Sequence, residues 1–418
     1  MPLSRQSAAF LLLLCTAAAA GTADDLPPEL IRLARFKQKI RQDLAQVPNY
    51  TCLETMERFQ RAPRANSFKP LDTVRLEVSN VNGKELLAWP GARRFEDKNL
   101  TSFVTTGMIA NGIFALHAHN LFVNDTAAFE YRGEENLDGR GAIRYDYRIP
   151  QFLSGYRIRT GSAAATIAMK GSFWFDPVSL DLLRLDVYGD EMPVELDLAA
   201  SVVKTYYSRE HIGKSEALLP HRAELMLTFF SGEASRNIVE FSACREYGSE
   251  STISFDPPPE PVPELPQEPA KAQAREVNLA AGLLVPVALE TTIDSKSASV
   301  GDAVHARVRQ DVRQKGQLVL PAGALISGRI RSLDRYTSPE PYCLMGIEFS
   351  EAEWQNARAE FLAELVDSHD RKAVRLGHGT LQTPGVGILH IPGGSFHLAP
   401  GFRMLWRTLG QQPASGFR

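Results

Sequence analysis

Residues 171–177 have the sequence Gly-Ser-Phe-Trp-Phe-Asp-Pro, and this stretch decides the fold class. Its aromatic residues favour a strand, and its Asp-Pro pair favours a turn, because proline fixes φ and cannot donate a ladder hydrogen bond. After the turn, apolar side chains return at alternate positions. These are Leu183, Leu185 and Val187. The stretch therefore predicts a β-hairpin within a mainly β protein.

The same alternation extends on both sides of this hairpin, from about residue 49 to residue 255. The clearest alternating runs are Val74, Leu76 and Val78, and then Ala223, Leu225, Leu227 and Phe229. Between them, Asn82-Gly83 predicts a two-residue hairpin turn, because this pair tolerates the positive φ values that such a turn requires. The pattern predicts an antiparallel meander.

A helix precedes the meander. Pro27 and Pro28 begin the helical pattern, Asp25 is available as its cap, and Pro48 ends it. Apolar residues at helical spacing form one face. They are Leu30, Leu33, Phe36, Ile40, Leu44 and Val47. We therefore predict that residues 24–255 form a helix-capped antiparallel β domain.

A proline-rich segment follows this domain. Residues 256–269 contain seven prolines and four acidic residues, and proline is excluded from helix interiors and central strands. We interpret residues 256–273 as a polyproline-type linker, roughly 40 Å long, that holds two domains apart. A PxxP ligand for a partner domain is the alternative interpretation.

Residues 274–418 are predicted to form a second β domain with a loose tail. Short alternating runs separated by Gly and Pro are typical of a small β-barrel or sandwich. The runs are Val304, Ala306 and Val308; Met345, Ile347 and Phe349; and Phe361, Ala363 and Leu365.

The first 23 residues have the pattern of a secretory signal peptide. Arg5 precedes an apolar core, and both residues 18–20 and residues 21–23 fit a small-x-small cleavage site. The apolar run is shorter than the about 20 residues that span a bilayer. We therefore expect export to the periplasm or an outer-membrane-associated location, with no transmembrane span in the mature chain. The alternatives are a retained anchor or a lipid on Cys15, although Leu14 stands where lipoprotein signals have a small residue.

Composition excludes several classes of protein. Hydrophobic residues make up 44% of the chain and charged residues 23%, which is ordinary for a globular protein and unlike disordered, collagenous or multi-span membrane proteins. The formal net charge is −3, from 46 basic and 49 acidic residues. This balance predicts no nucleic-acid partner and gives no reason to expect an anionic-membrane partner.

Three cysteines remain after the signal. Export favours disulfides, and Cys52 and Cys244 lie near the two ends of the first predicted domain. A bridge between them would join those ends; two buried free thiols are the alternative. Cys343 is interpreted as a core thiol. None of the three has metal-ligand spacing.

The sequence contains no recognisable catalytic set. It lacks a complete phosphate loop, a nucleophile elbow and a zinc motif, so we predict no catalytic residue, no metal site and no cofactor. Residues 102–120 predict either a short helix or a loop, and within them His117 and His119 would share a face only in a strand. An exported hydrolase with a site assembled by the fold around these histidines and nearby acids is the alternative hypothesis.

The helix of residues 30–47, the Asn49-Tyr50-Thr51-Cys52 strand and the aromatic strand with its Asp-Pro turn resemble the bacterial lipoprotein-carrier (outer-membrane lipoprotein-sorting) fold. The resemblance covers about residues 29–255. It implies a half-open barrel, capped by the helix, whose cavity takes acyl chains.

Residues 290–295, 301–308 and 319–328 resemble the β-barrel of the TrbI-like outer-core component of type IV secretion machines, with coverage of about residues 285–335. The chain departs from that family because it lacks the inner-membrane helix and the long periplasmic stalk. The resemblance therefore implies a reused envelope β module. The pairing of both halves behind a signal also resembles exported bacterial proteins with no assigned function.

These observations predict a non-catalytic, exported cell-envelope protein. It would bind an apolar ligand, such as a lipid or lipoprotein, in a groove under the helix of residues 30–47, or it would bind an envelope protein partner. Besides the hydrolase, the other alternative is a structural subunit of an outer-membrane-associated assembly that uses the second domain as its contact.

Overall fold

The computed structural model describes most of the chain outside its two ends and the proline-rich segment. The described residues are 26–81, 84–92, 95, 103–104, 116–124, 126–161, 163–247, 275–337, 340–368, 375–376 and 384–410. The predicted signal, Asp25, the predicted linker and the tail after residue 410 lie outside them.

The N-terminal helix, α1, spans Pro28–Gln46 and confirms the predicted helix. Pro27 is its N-cap and provides no side-chain hydrogen bond. Phe36 and Ile40 are buried, whereas Leu30 is 49% exposed. The apolar face is therefore shorter than the helical spacing predicts.

A second helix, α2, spans Leu116–Phe122. It shows that the end of the ambiguous stretch at residues 102–120 is helical. Residues 105–115 lie outside the described part of the chain, so the alternative stays open for them.

The first half of the chain contains twelve described strands. They are β1 Tyr50–Arg61, β2 Lys69–Val81, β3 Lys84–Ala88, β4 Ala128–Leu137, β5 Arg140–Ile149, β6 Arg157–Thr160, β7 Ala163–Thr166, β8 Ala168–Phe175, β9 Leu182–Asp190, β10 Leu198–Ile212, β11 Ser215–Phe229 and β12 Ala234–Glu246. Strands β6 and β7 form a separate hairpin. The other ten form one antiparallel sheet in the order β3-β2-β1-β12-β11-β10-β9-β8-β5-β4.

Both predicted hairpins are confirmed. Val81 pairs with Lys84, which gives the two-residue connection between β2 and β3. Phe173 pairs with Leu185, which joins the aromatic strand β8 to β9. These local patterns succeed because a turn residue and an alternating run lie within a few positions of each other.

The first sheet curls into a half-barrel with α1 on its concave face. The pairing register aligns one row of side chains across this face. The row is Met56, Val239, Ala223, Thr205, Leu185, Phe173 and Tyr145. Because directly opposite residues of antiparallel strands share a face, this row identifies the face of the sheet that points toward α1.

The second half of the chain contains fourteen described strands. They are β13 Arg275–Glu276, β14 Leu284–Leu289, β15 Ile293–Asp294, β16 Ala303–Val308, β17 Val312–Gln314, β18 Gln317–Leu320, β19 Leu325–Tyr336, β20 Tyr342–Trp354, β21 Ala357–Glu360, β22 Ala363–Ser368, β23 Arg375–Leu376, β24 Val386–Pro392, β25 His397–Leu398 and β26 Arg403–Thr408. The path β13-β21-β20-β19-β16-β14-β26-β22, with β24 on β20 and β23 on β24, forms a second sheet. The predicted mainly β architecture is confirmed, and Phe361 is a buried residue that precedes β22.

The two sheets touch, contrary to the separation expected from a stiff linker. The backbone N–H of Arg75 donates to the carbonyl of Val300 at 2.8 Å, and the N–H of Val300 donates to the carbonyl of Thr73 at 2.7 Å. This contact forms because β3 pairs only with residues 77–81 of β2 and leaves the earlier part of that edge open. An ion pair between Arg75 and Asp302 at 2.8 Å lies beside it.

Trp89 forms the side-chain part of this contact. The guanidinium groups of Arg329 and Arg331 lie 5.5 and 5.1 Å from its ring centroid. Gly301 packs so closely that a Cβ there would lie 2.3 Å from the carbonyl oxygen of Arg75. The two sheets therefore approach each other closely at Gly301, where a side chain would not fit.

Candidate functional site

An aromatic surface lies between α1 and the concave face of the first sheet. The ring of Phe36 stacks on Phe173 and Phe175, with centroids 5.2 and 4.3 Å away, and meets the edge of Phe122 at 5.2 Å. All four rings are buried. The sequence predicts an apolar groove under the helix; the structure fills this position with the side chains of α1 itself.

Polar contacts hold the C-terminal half of α1. The Nε–H of Arg41 donates to the carbonyl of Phe122 at 2.7 Å. The guanidinium of Arg209 on β10 contacts Asp43 of α1 at 3.2 Å and Asp181 at 2.5 Å. Burial raises the pKa of Asp181, but Arg209 outweighs burial and the pKa is lowered. These contacts keep α1 against the sheet without burying more apolar surface.

The N-terminal half of α1 is held by two further contacts. The Tyr145 hydroxyl donates to the carbonyl of Glu29 at 2.6 Å, and Arg32 pairs with Glu134 at 2.7 Å in a solvent-exposed position. Exposed ion pairs contribute little to stability because solvent screens the two charges. The attachment of α1 therefore depends mainly on Phe36, Ile40 and the contacts at its C-terminal end.

A cleft of about 510 Å³ runs along one side of α1. The residues that line it come from successive turns of this helix. They are Leu30, Leu33, Ala34, Lys37, Gln38, Arg41 and Gln42. The cleft therefore combines an apolar wall with two cationic side chains.

Glu54 is a carboxyl group on the same concave face. It lies two residues from Met56 of the inward row, next to Leu76 and Phe241 in the register. Only 7% of it is exposed. Burial raises its pKa to about 8, and the charge of Glu85 adds to this effect. Glu54 is therefore mostly protonated at pH 7 and has a hydroxyl to donate.

The neighbouring polar groups of this face are also held neutral. Burial raises the pKa of Tyr50 and of Tyr207 well above the ordinary value. Thr205, which is fully buried, has no hydrogen-bond partner for its Oγ1 within the described residues. These groups therefore add polar but uncharged side chains to the apolar concave face.

The two predicted histidines are not brought together. His117 is buried in α2, its Nδ1 has no hydrogen-bond partner in the described chain, and burial lowers its pKa to about 4. His119 is exposed two positions along, because residues two apart in a helix point in different directions. Among the described residues, no group of three His, Cys, Asp or Glu side chains could hold a metal ion.

A disulfide joins Cys52 and Cys244, whose Cα atoms are 4.1 Å apart. It links β1 to β12 at the end of the sheet where the first predicted domain begins and ends. Cys343 is a free, buried thiol on β20. Burial raises the pKa of the Cys343 thiol, which keeps it protonated and unreactive.

Two polar features of this half were not predicted. Glu54 and Arg58 both occupy inward positions of β1, and Arg58 pairs there with Asp72 of β2. The signal was present in the sequence, since charged residues interrupt the alternating row Cys52, Glu54, Met56 and Arg58. In the part of the chain that the structure describes, no helix is long and apolar enough to cross a bilayer.

No family model and no curated protein matches this sequence. Solved structures do match. An outer membrane lipoprotein-sorting protein domain from Vibrio parahaemolyticus is 14% identical, with a TM-score of 0.30, 51% of this chain covered and 92% of that one. A LolA superfamily protein from Nitrosomonas europaea is 15% identical, with a TM-score of 0.26, 51% of this chain covered and 94% of that one.

A DUF1329 family protein from Desulfovibrio piger is 14% identical, with a TM-score of 0.27, 53% of this chain covered and 95% of that one. The TrbI-like resemblance of residues 285–335 stays a prediction. The chain is similar to lipoprotein-sorting and LolA superfamily structures, the group that its N-terminal half resembles in sequence.

Proposed function

We propose that this protein is a non-catalytic, exported envelope protein that binds the acyl chain of a lipid or lipoprotein on the concave face of its first sheet. The observation that carries the proposal is the aromatic surface under α1, formed by Phe122, Phe173 and Phe175 around Phe36. In this proposal α1 is a movable cover. It occupies the binding position of the acyl chain until a ligand displaces it. The name of the Vibrio parahaemolyticus domain refers to lipoprotein sorting. For this protein, the proposal rests on the aromatic surface under α1.

The apolar burial that α1 would lose is comparable with the burial that an acyl chain would gain. Phe36 and Ile40 are the only fully buried side chains of α1, and each contributes about 1.5–3 kcal/mol. A twelve-carbon chain that leaves water gains on the order of 10 kcal/mol, at about 0.8 kcal/mol per CH₂. The ligand can therefore replace the burial that α1 loses.

The predicted signal supports export to the periplasm or the outer membrane, which is where acyl chains of lipoproteins must be shielded from water. Burial holds Glu54, Tyr207 and His117 in their uncharged forms, which suits an interior that binds an apolar ligand. A hydrolase would need a base that faces its nucleophile. His117 has no such partner within the described residues.

Hydrogen exchange with an acyl probe tests the proposal. We expect methyl dodecanoate to bind the mature chain and to increase amide exchange in residues 28–46 while other helices and strands keep their protection. The variant Asp43→Asn removes the contact to Arg209 and should tighten binding about threefold to fivefold, since less free energy is then needed to displace α1. Arg307→Gln, which breaks an exposed pair with Glu290 in the second sheet, is the matched control. Binding without any change in α1, or no binding at all, would contradict the proposal.

A protein partner is the second candidate, and a different observation favours it. Phe152, Val194 and Phe230 are 84%, 78% and 66% exposed. They follow β5, β9 and β11, which run in the same direction and so finish at the same end of the sheet. Exposed apolar groups at one end of a sheet are a candidate docking surface. We expect Phe152→Ser with Phe230→Ser to abolish recovery of one defined envelope protein and to leave methyl dodecanoate binding unchanged.

A further inference from the structure

The attachment of α1 to the sheet differs between its two halves. The buried side chains of the helix, Phe36 and Ile40, both lie beyond its second turn. Before them, Leu30 and Ile31 are 49% and 39% exposed. The N-terminal half, residues 28–35, therefore contains no buried side chain.

The polar contacts of the N-terminal half are an ion pair and a hydrogen bond. Arg32 pairs with Glu134, and both side chains are exposed. The Tyr145 hydroxyl donates to the carbonyl of Glu29. Because solvent screens the charges of an exposed pair, the Arg32 contact opposes local opening of this half only weakly.

A cluster of four charged side chains holds the C-terminal half. We call it the ionic latch; it consists of Lys39 and Asp43 of α1, Asp181, and Arg209 of β10. Asp43 lies between two cations, with the Lys39 ammonium at 2.6 Å and the Arg209 guanidinium at 3.2 Å. Arg209 also contacts Asp181 at 2.5 Å. The side chains of Asp43 and Asp181 are only 12% and 14% exposed, so solvent screens the latch less than it screens Arg32.

The chain connection restrains the same end of α1. Three residues, Val47, Pro48 and Asn49, join the helix to β1, and three extended residues reach about 10 Å. The carbonyl of Asn49 accepts the N–H of Tyr247 at 2.8 Å, which ties this connection to the end of β12. The C-terminal end of α1 therefore stays near the sheet when the N-terminal half opens.

Phe36 precedes the latch in the chain. Its ring covers Phe173 and Phe175, and it can leave them while Lys39 and Asp43 keep their contacts. Uncovering the concave face beneath residues 39–46 requires the latch itself to open.

We propose that the ionic latch divides the opening of α1 into two steps and makes Asp43 a determinant of acyl-chain length. A short chain needs only the withdrawal of Phe36, whereas a longer chain extends beneath residues 39–46 and also has to open the latch. This inference rests on the proposed acyl-chain binding and adds its selectivity for chain length.

Amide exchange of the ligand-free mature chain tests the two steps. We expect residues 32–36 to exchange faster than residues 40–44, because the latch protects the latter. Asp43→Asn should raise exchange at residues 40–44 by about threefold to fivefold and leave residues 32–36 unchanged. Equal protection along α1, or no response of residues 40–44 to Asp43→Asn, overturns the inference.

Four acyl esters test the consequence for binding: methyl hexanoate, methyl octanoate, methyl decanoate and methyl dodecanoate. Asp43→Asn should leave binding of the shortest ester unchanged, and its effect should grow to about threefold to fivefold tighter binding of methyl dodecanoate. Tyr145→Phe removes the hydrogen bond to Glu29 but keeps the ring. It should tighten all four esters by one common factor, because every chain requires the first step.

Glu57→Gln is the matched control. It also replaces a carboxylate by an amide, and Glu57 is exposed on the opposite face of β1 from Met56. Unchanged circular dichroism checks that each variant is folded. An effect of Asp43→Asn that is equal for all four esters overturns the inference but leaves acyl-chain binding intact, whereas failure of all four to bind wild type overturns both.

Discussion

Arg58 and Asp72 form an ion pair between β1 and β2 that is almost completely excluded from solvent. The Nε–H and one terminal N–H of Arg58 donate to the two carboxylate oxygens of Asp72 at 2.6 and 2.5 Å. Their side chains are 1% and 3% exposed. Asp334 of the second sheet faces the same pair; burial raises the pKa of Asp334, and the charge of Asp72 adds to this effect.

Breaking this pair should destabilise the protein strongly. We expect Asp72→Leu to lower the free energy of unfolding by about 3–5 kcal/mol, because it leaves a buried guanidinium without its counter-charge. The double variant Arg58→Met with Asp72→Leu should recover most of that loss, since it removes both charges. Urea unfolding of the three variants measures the difference. A double variant no more stable than Asp72→Leu would show that the pair itself is not what matters.

Glu54 should make stability fall as pH rises. Burial raises its pKa to about 8 in the folded protein from an ordinary value of 4.5. The folded state therefore binds more protons between these pH values, and stability is lost as pH increases through them. We expect the wild-type unfolding midpoint to decrease from pH 5 to pH 8, and Glu54→Gln to reduce that decrease. Glu57→Gln should follow wild type. Parallel pH profiles for Glu54→Gln and wild type would argue against a protonated Glu54.

His117 should make stability fall as pH decreases, which is the opposite of the effect of Glu54. Burial lowers the pKa of His117 to about 4 in the folded protein from an ordinary value of 6.5. The unfolded chain therefore binds the extra proton, and stability falls as pH decreases from about 6.5 to about 4. The full effect is on the order of 3 kcal/mol. Thermal unfolding of His117→Gln should show a flatter profile in this range, and the exposed control His119→Gln should not.

The disulfide should stabilise the first sheet by restricting the unfolded chain. Cys52 and Cys244 are 192 residues apart, and the chain-entropy relation gives about 5 kcal/mol as an upper estimate for such a loop. We expect the double variant Cys52→Ala with Cys244→Ala to lower the free energy of unfolding by about 2–5 kcal/mol. Adding a reductant should destabilise wild type and leave this variant unchanged. Equal sensitivity of both proteins to the reductant would contradict the assignment.

Gly301 should control the contact between the two sheets. Its φ is +100°, and a Cβ would collide with the carbonyl oxygen of Arg75 and the ring of Trp89. We expect Gly301→Ala to detach the second sheet, which small-angle scattering would show as a larger radius of gyration with unchanged circular dichroism. Gly316→Ala is the control, because Gly316 has a similar φ of +81° in open space. An equal radius for Gly301→Ala and wild type would count against this contact as the determinant.

The sequence predicted the elements that depend on neighbouring residues. Helix α1 follows from its apolar spacing, and the β2–β3 and β8–β9 hairpins follow from Asn82-Gly83 and Asp176-Pro177 together with the alternation around them. Which side chains face the interior of the site depends on the pairing register between strands that are distant in sequence. Nothing local to Glu54 shows that it faces Phe241 and shares a surface with Phe173.

The contact between the sheets was missed for the same reason. A proline-rich segment predicts distance between two bodies, but it carries no information on what their surfaces do when they meet. The free stretch of β2 at Thr73 and Arg75 exists only because β3 is short. Strand length is among the properties that local patterns predict least well.

The position of Val300 on β2 has a consequence for how the chain behaves when it is divided. A bare strand edge recruits other chains and leads to oligomers or aggregates. In the intact protein, Val300 of the C-terminal half covers the edge of β2 at Thr73 and Arg75. The C-terminal half therefore protects this edge from pairing with other chains. A fragment that stops before residue 275 would expose the edge of β2 at Thr73 and Arg75, and we expect it to aggregate at lower concentration than the intact chain.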